Sequence, residues 1–179
     1  MKDSQKSILK LVYAAACLAL AMVLPFLTGQ IPQIGKMLSP MHIPAFLCGF
    51  LCGPVWGLIV GCIAPLLRSL VFSMPKMMPT AAAMAFELAT YGFFAGLLSR
   101  KLPKNAVGLY CSLILAMILG RIVWGVASFL LYRATGAQFT LAMFWAGGFV
   151  NAVPGIILHL ILVPAIVLAL RSAHLVPEE

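Results

Sequence analysis

Apolar runs long enough to cross a bilayer follow one another from about residue 8 to about residue 170, and that succession leaves this chain one class of fold. A helix rises 1.5 Å per residue, so about 20 apolar residues span a hydrocarbon core of about 30 Å. Hydropathy places such spans at about 8–27, 40–53, 55–74, 79–99, 106–132 and 142–170. Composition agrees, because 63% hydrophobic residues and 9% charged residues cannot coat a soluble surface. The expectation is an all-α integral membrane protein, a compact bundle of six transmembrane helices forming one membrane domain over 1–179. Such a chain has no room for a separate soluble catalytic or nucleotide-binding domain, so any energy source lies outside it.

Charge sets the topology. Lys2, Lys6 and Lys10 precede the first span and Arg100, Lys101 and Lys104 follow the fourth. Cytoplasmic loops collect such residues, so the two clusters share a side and an even number of crossings separates them. The segments 40–53 and 55–74 are therefore separate passes joined by a tight turn at Gly53-Pro54, although about fourteen residues reach only about 21 Å. Both termini are expected in the cytoplasm. The formal charge of +8 lies at helix ends or within helices, not on one basic face, so nucleic acid is not an expected partner. The N-terminal lysines and the triplet Ala19-Leu20-Ala21 loosely fit a signal peptide, but the apolar run continues to Leu27 and reads as a permanent span.

Arg68, Glu87, Arg121 and Asn151 sit inside these runs, where a charged group costs several kcal/mol unless it meets a partner or a wet cavity. Counting from the span ends puts Arg68 near the outer end of the third span, Glu87 and Arg121 in outer halves, and Asn151 about midway along the sixth. Four helices then bring polar groups to one level, a small-molecule pocket open to the outside. The segment Thr28 to His42 adds Gln30, Gln33 and His42 as a lid stiffened by prolines. Trp124, one turn from Arg121, is placed at the pocket. His159 is placed deeper, toward the cytoplasm, as a packed residue. A structural pairing of Glu87 with Arg68 or Arg121 is the plainer alternative, yet one glutamate cannot neutralise two arginines. The surplus cation calls for an anionic ligand group, a lipid phosphate or a snorkelling arginine.

Catalytic and metal motifs fail on inspection. The stretch Gly29 to Lys36 (GQIPQIGK) has five residues between its glycines, and Met37 stands where a phosphate loop needs Ser or Thr. No HExxH, nucleophile elbow or paired carboxylates occur, so an enzyme is not expected. Cys48 and Cys52 are one turn apart without further ligands at matching spacing, so neither a metal nor another cofactor is implied. Gly49, Gly53, Gly57 and Gly61, with Gly92 and Gly96, have the four-residue spacing that lets helix backbones approach in lipid. Ala15 and Ala19 form a smooth strip on the first span that packs either within the bundle or against a second protein.

The alanine strip in LVYAAACLALAMVLPF, the segment SPMHIPAFLCGFLCGPVWG and the fourth-span sequence AMAFELATYGFFAGLL together resemble a substrate-binding S component of an energy-coupling-factor (ECF) vitamin transporter, over nearly the whole chain. That resemblance implies high-affinity capture of a vitamin or related micronutrient near the extracellular side of a prokaryotic plasma membrane. It implies as partners a membrane coupling protein, docked through Ala15 and Ala19 with Ala16 and Val23 at the margin, and two cytoplasmic ATPase subunits. It also implies delivery by toppling of the loaded bundle. A net positive pocket holding Arg68 and Arg121 favours a carboxylate-bearing nutrient, with pantothenate the first candidate. An unpaired Glu87 instead suits a queuosine precursor, a pyridoxine-like base or a benzimidazole. A solitary secondary carrier or channel is the competing function, disfavoured by the poverty of polar groups in the inner half. A structural or lipid-binding protein is a third.

Overall fold

The computed structural model describes residues 3–28, 31–173 and 175. Eight α-helices occur in the described residues: α1 (Asp3–Val23), α2 (Pro32–Leu38), α3 (His42–Cys52), α4 (Pro54–Phe72), α5 (Ala82–Lys101), α6 (Ala106–Ala134), α7 (Leu141–Trp145) and α8 (Val153–Ser172). Five stretches are long and apolar enough to cross a membrane: 4–27, 54–72, 77–101, 106–134 and 141–172. The sequence anticipates six. The difference lies in α3, whose 11 residues rise about 16 Å and which is buried along its whole length. A helix with no face toward lipid is the core of the bundle, with α1, α4, α5 and α8 packed against it.

The break between α3 and α4 is the expected one. Gly53 has φ 95° and ψ 178°, a backbone region that essentially only glycine occupies, and Pro54 opens the next helix. The chain reverses there, bringing Gly57 back against Gly49. The backbone of α5 lies on this hairpin. A Cβ at Gly49 or Gly57 would strike the Gly92 backbone, and one at Gly92 would strike Gly57. Small residues thus set the interhelical distance, as close packing in lipid requires.

Two expectations change. The single sixth span is broken into α7, a widened turn at 146–150, and α8. Gly147-Gly148 lowers helix propensity and Pro154 lacks the N–H that a continuous helix needs, so the chain restarts at Val153. Asn151 consequently lies at this break, exposed, instead of midway along a helix. The segment expected as a lid contains a short helix, α2, which packs on α8 where Gly155 meets the carbonyls of Met37 and Leu38. Gln30 and the side chain of Gln33 lie outside the described residues.

Candidate functional site

Glu87 and Tyr91 are four residues apart on α5, so they share one helical face. The Tyr91 hydroxyl donates to Glu87 Oε1 at 2.7 Å, and Arg121 Nη1 on α6 lies 2.8 Å from the same oxygen. His42, the first residue of α3, brings Nε2 to 3.6 Å from it, beyond hydrogen-bonding reach. The carboxylate is 2% exposed, so the cluster is a desolvated ion pair with a phenol donor added. Burying such charges costs several kcal/mol per ion, and removing one partner is worse than never having had the pair.

Aromatic rings enclose the cluster. Tyr91 stacks on Phe46 at 4.6 Å, and Gly120 leaves the space its ring occupies, since a Cβ there would overlap it. His42 lies between Tyr91, at 5.4 Å, and His159, at 5.7 Å with planes 20° apart. Nε2 of His159 donates to the Ser39 carbonyl at 3.2 Å, tying α8 to the turn before α3. Both nitrogens of His42 and Nε of Arg121 are buried without a hydrogen-bond partner. Buried polar atoms of this kind are uncommon in native proteins and call for a reason.

Of the residues singled out from sequence, Glu87, Arg121 and His42 come together. His42 is a wall of the cluster, not part of a lid, because it is the first residue of the buried helix α3 and is itself 3% exposed. Arg68 stands elsewhere. Its Nη1 donates to the Met22 carbonyl, and its guanidinium lies 5.1 Å from the Phe26 ring and 5.0 Å from the Phe72 ring. It is 3% exposed, so it neither snorkels nor joins Glu87. The reason is local: α1 tightens to a 3-10 turn at Leu24–Thr28, where Pro25 has no N–H to offer Met22, and a cation is favoured at a helix C-terminus. The expected convergence of four helices at one level is therefore corrected to a two-residue ion pair with Arg68 on separate partners.

Trp124 is half-buried and contacts Phe139 at 5.6 Å and Phe144 at 6.1 Å, holding the α7 segment against α6. His159 lies at the level of His42, on which it stacks, and reaches Ser39. Tyr91 and Gly120 are absent from the sequence reading. The four-residue spacing of Tyr91 from Glu87 was the available signal, and Gly120, adjacent to Arg121, carried none. On α1, Ala14, Cys17 and Ala21 face the core while Ala15, Ala16, Ala19 and Val23 are exposed. The alanine strip thus lies on the outside of this bundle.

A family model for the substrate-specific component of ECF transporters matches residues 9–167. No curated protein and no solved structure matches the chain.

Proposed function

Because this chain belongs to the substrate-specific components of ECF transporters, we propose that it captures a vitamin or related micronutrient from the extracellular side of a prokaryotic plasma membrane and passes it to an ATP-driven module. Such a component is a transport subunit and not an enzyme, and its apolar helices make it a multi-pass membrane protein. The observation that carries the reading is the buried Glu87–Arg121 pair with unpartnered nitrogens beside it, inside helices long and apolar enough to cross a membrane. An intramembrane ionisable cluster marks a substrate site by default.

In this reading α3 is an internal pass. Shielded from lipid by its neighbours, it need not match the full bilayer thickness, and counting it gives six passes with both termini and Arg100, Lys101 and Lys104 in the cytoplasm. Ala15 and Ala19, exposed on α1, form the docking face for the membrane coupling protein, and two cytoplasmic ATPases supply the energy. The proposed ligand site is His42, Glu87 and Arg121, beside the turn before α3 that His159 holds through Ser39. Arg68 fastens α1 to α4. A carboxylate-bearing ligand such as pantothenate would have to meet Arg121, which already pairs with Glu87, since Arg68 is engaged with Met22.

Affinity purification from native membranes, with uptake measured in proteoliposomes, tests the proposal. A coupling membrane protein and two ATPases should accompany the chain, and uptake should require ATP. Transport by the isolated chain without ATP would make it a secondary carrier instead.

A further inference from the structure

Where α4 meets α5 the backbones touch, since a Cβ at Gly61 would strike the Leu88 carbonyl and the Ala89 nitrogen. Beside that contact lies a groove of about 150 Å³, lined by Cys62 and Leu66 of α4 and by Ala82, Ala85, Phe86 and Ala89 of α5. The three alanines share one helical face, so methyl groups floor the groove over about 10 Å of helix rise. The lining presents no nitrogen or oxygen. Phe86 on the rim is 56% exposed and Ile63, next to Cys62, is 42% exposed, so the groove opens on a surface that faces lipid. Glu87 is 2% exposed, which puts the Glu87–Arg121 cluster on a different face of α5.

An apolar recess of this size stays dry and takes up apolar groups, because nothing in it offers water a hydrogen bond. Both α4 and α5 are long and apolar enough to cross the bilayer, so a groove along them lies parallel to the lipid chains. A run of methylene groups fits it.

One end of the groove is charged. The groove ends at Ala82, and the N–H of Ala81 donates to the Lys76 carbonyl at 2.9 Å, which sets Lys76 about one turn beyond that end. Lys76 falls between the apolar stretches 54–72 and 77–101, hence at the membrane–water boundary, and its side chain is exposed. No acidic residue occurs between Ser73 and Phe86, so this connection supplies no counterion. An ammonium at that boundary attracts anionic headgroups. We propose that an anionic phospholipid binds here, with one acyl chain in the α4–α5 groove and its phosphate at Lys76.

The test is photocrosslinking of the full chain in phosphatidylcholine nanodiscs that contain a trace of phosphatidylglycerol with a diazirine in one acyl chain, the labelled residues being mapped by peptide mass spectrometry. Label should concentrate on Cys62, Leu66 and Phe86. Unlabelled phosphatidylglycerol should displace it at about fivefold lower mole fraction than zwitterionic phosphatidylethanolamine, the effect of one lysine near the surface. Lys76→Gln should remove that preference, and Ala82→Leu, which fills the end of the groove, should abolish the labelling. Should Ala82→Leu fail to fold, the labelling map and the headgroup competition decide the matter on the wild-type chain. Label spread evenly over the exposed faces of α1, α6 and α8 would mean surrounding lipid only and overturns the proposal. Equal displacement by the two lipids, an unchanged preference in Lys76→Gln, or undiminished labelling in folded Ala82→Leu overturns it as well. So does an unlabelled groove, and labelling that appears only with one chain per nanodisc would make a second copy the occupant.

Discussion

Arg121 places Nη1 2.8 Å from the same Glu87 oxygen that accepts the Tyr91 hydroxyl at 2.7 Å, so one carboxylate oxygen joins α5 to α6 and orients a ring packed on α3. Glu87→Ala should destabilise the bundle by about 3–5 kcal/mol, because Arg121 is left charged and buried without its counterion. Glu87→Gln paired with Arg121→Gln should recover much of that loss. Thermal melts of the single and double variants in detergent check it, and strictly additive losses would mean that the two side chains do not interact.

Tyr91→Phe keeps the ring on Phe46 and in the space left by Gly120 but removes one bond to Glu87. The expected loss is about 1–2 kcal/mol, well below that of Glu87→Ala. A melting curve indistinguishable from wild type would show that Arg121 alone suffices to hold the carboxylate.

Gly92→Leu places a side chain where the Gly57 backbone lies, with no flexible atom to yield. We expect loss of the monodisperse peak in fluorescence-detected size exclusion. A well-folded Gly92→Leu protein would mean that α5 does not rest on the α3–α4 hairpin as described.

Arg68→Ala frees the Met22 carbonyl and removes the cation between Phe26 and Phe72. The melt should fall by about 2 kcal/mol, with Arg68→Lys partly restoring it through a single donor. Ligand affinity should stay at the wild-type level in Arg68→Lys; a selective loss of affinity there would return Arg68 to the ligand site.

Ala15→Trp and Ala19→Trp alter exposed positions on α1, so folding and ligand binding should persist while ATP-dependent uptake is lost. Loss of binding in these variants would instead indicate that α1 packs through this face, and normal uptake would exclude it as the docking surface.

Membrane character, helix positions and the α3–α4 reversal were legible in the sequence because each depends on local quantities: the length of an apolar run, a Gly-Pro step, the four-residue spacing of Gly49, Gly53 and Gly57. Residues of unusual polarity for their depth, Glu87, Arg121 and His42, were legible for the same reason. Their pairing was not. Two arginines were available to one glutamate, and which of them reaches it depends on helix rotation, which hydropathy does not encode. Arg68 instead donates to the Met22 carbonyl near the C-terminal end of α1, a contact visible only once α1 and α4 are side by side. That His159 meets His42 follows from the break at 146–150 and the contact of α8 with Ser39, neither of which linear depth along a span encodes. By itself the sequence determined the solvent this protein folds in, its helical segments and the polar residues that need partners, since these follow from transfer free energies summed along the chain. Only the tertiary structure decided which polar groups meet and which stay open, because directional bonds at 2.7–2.8 Å depend on rotation and register that helix packing alone sets.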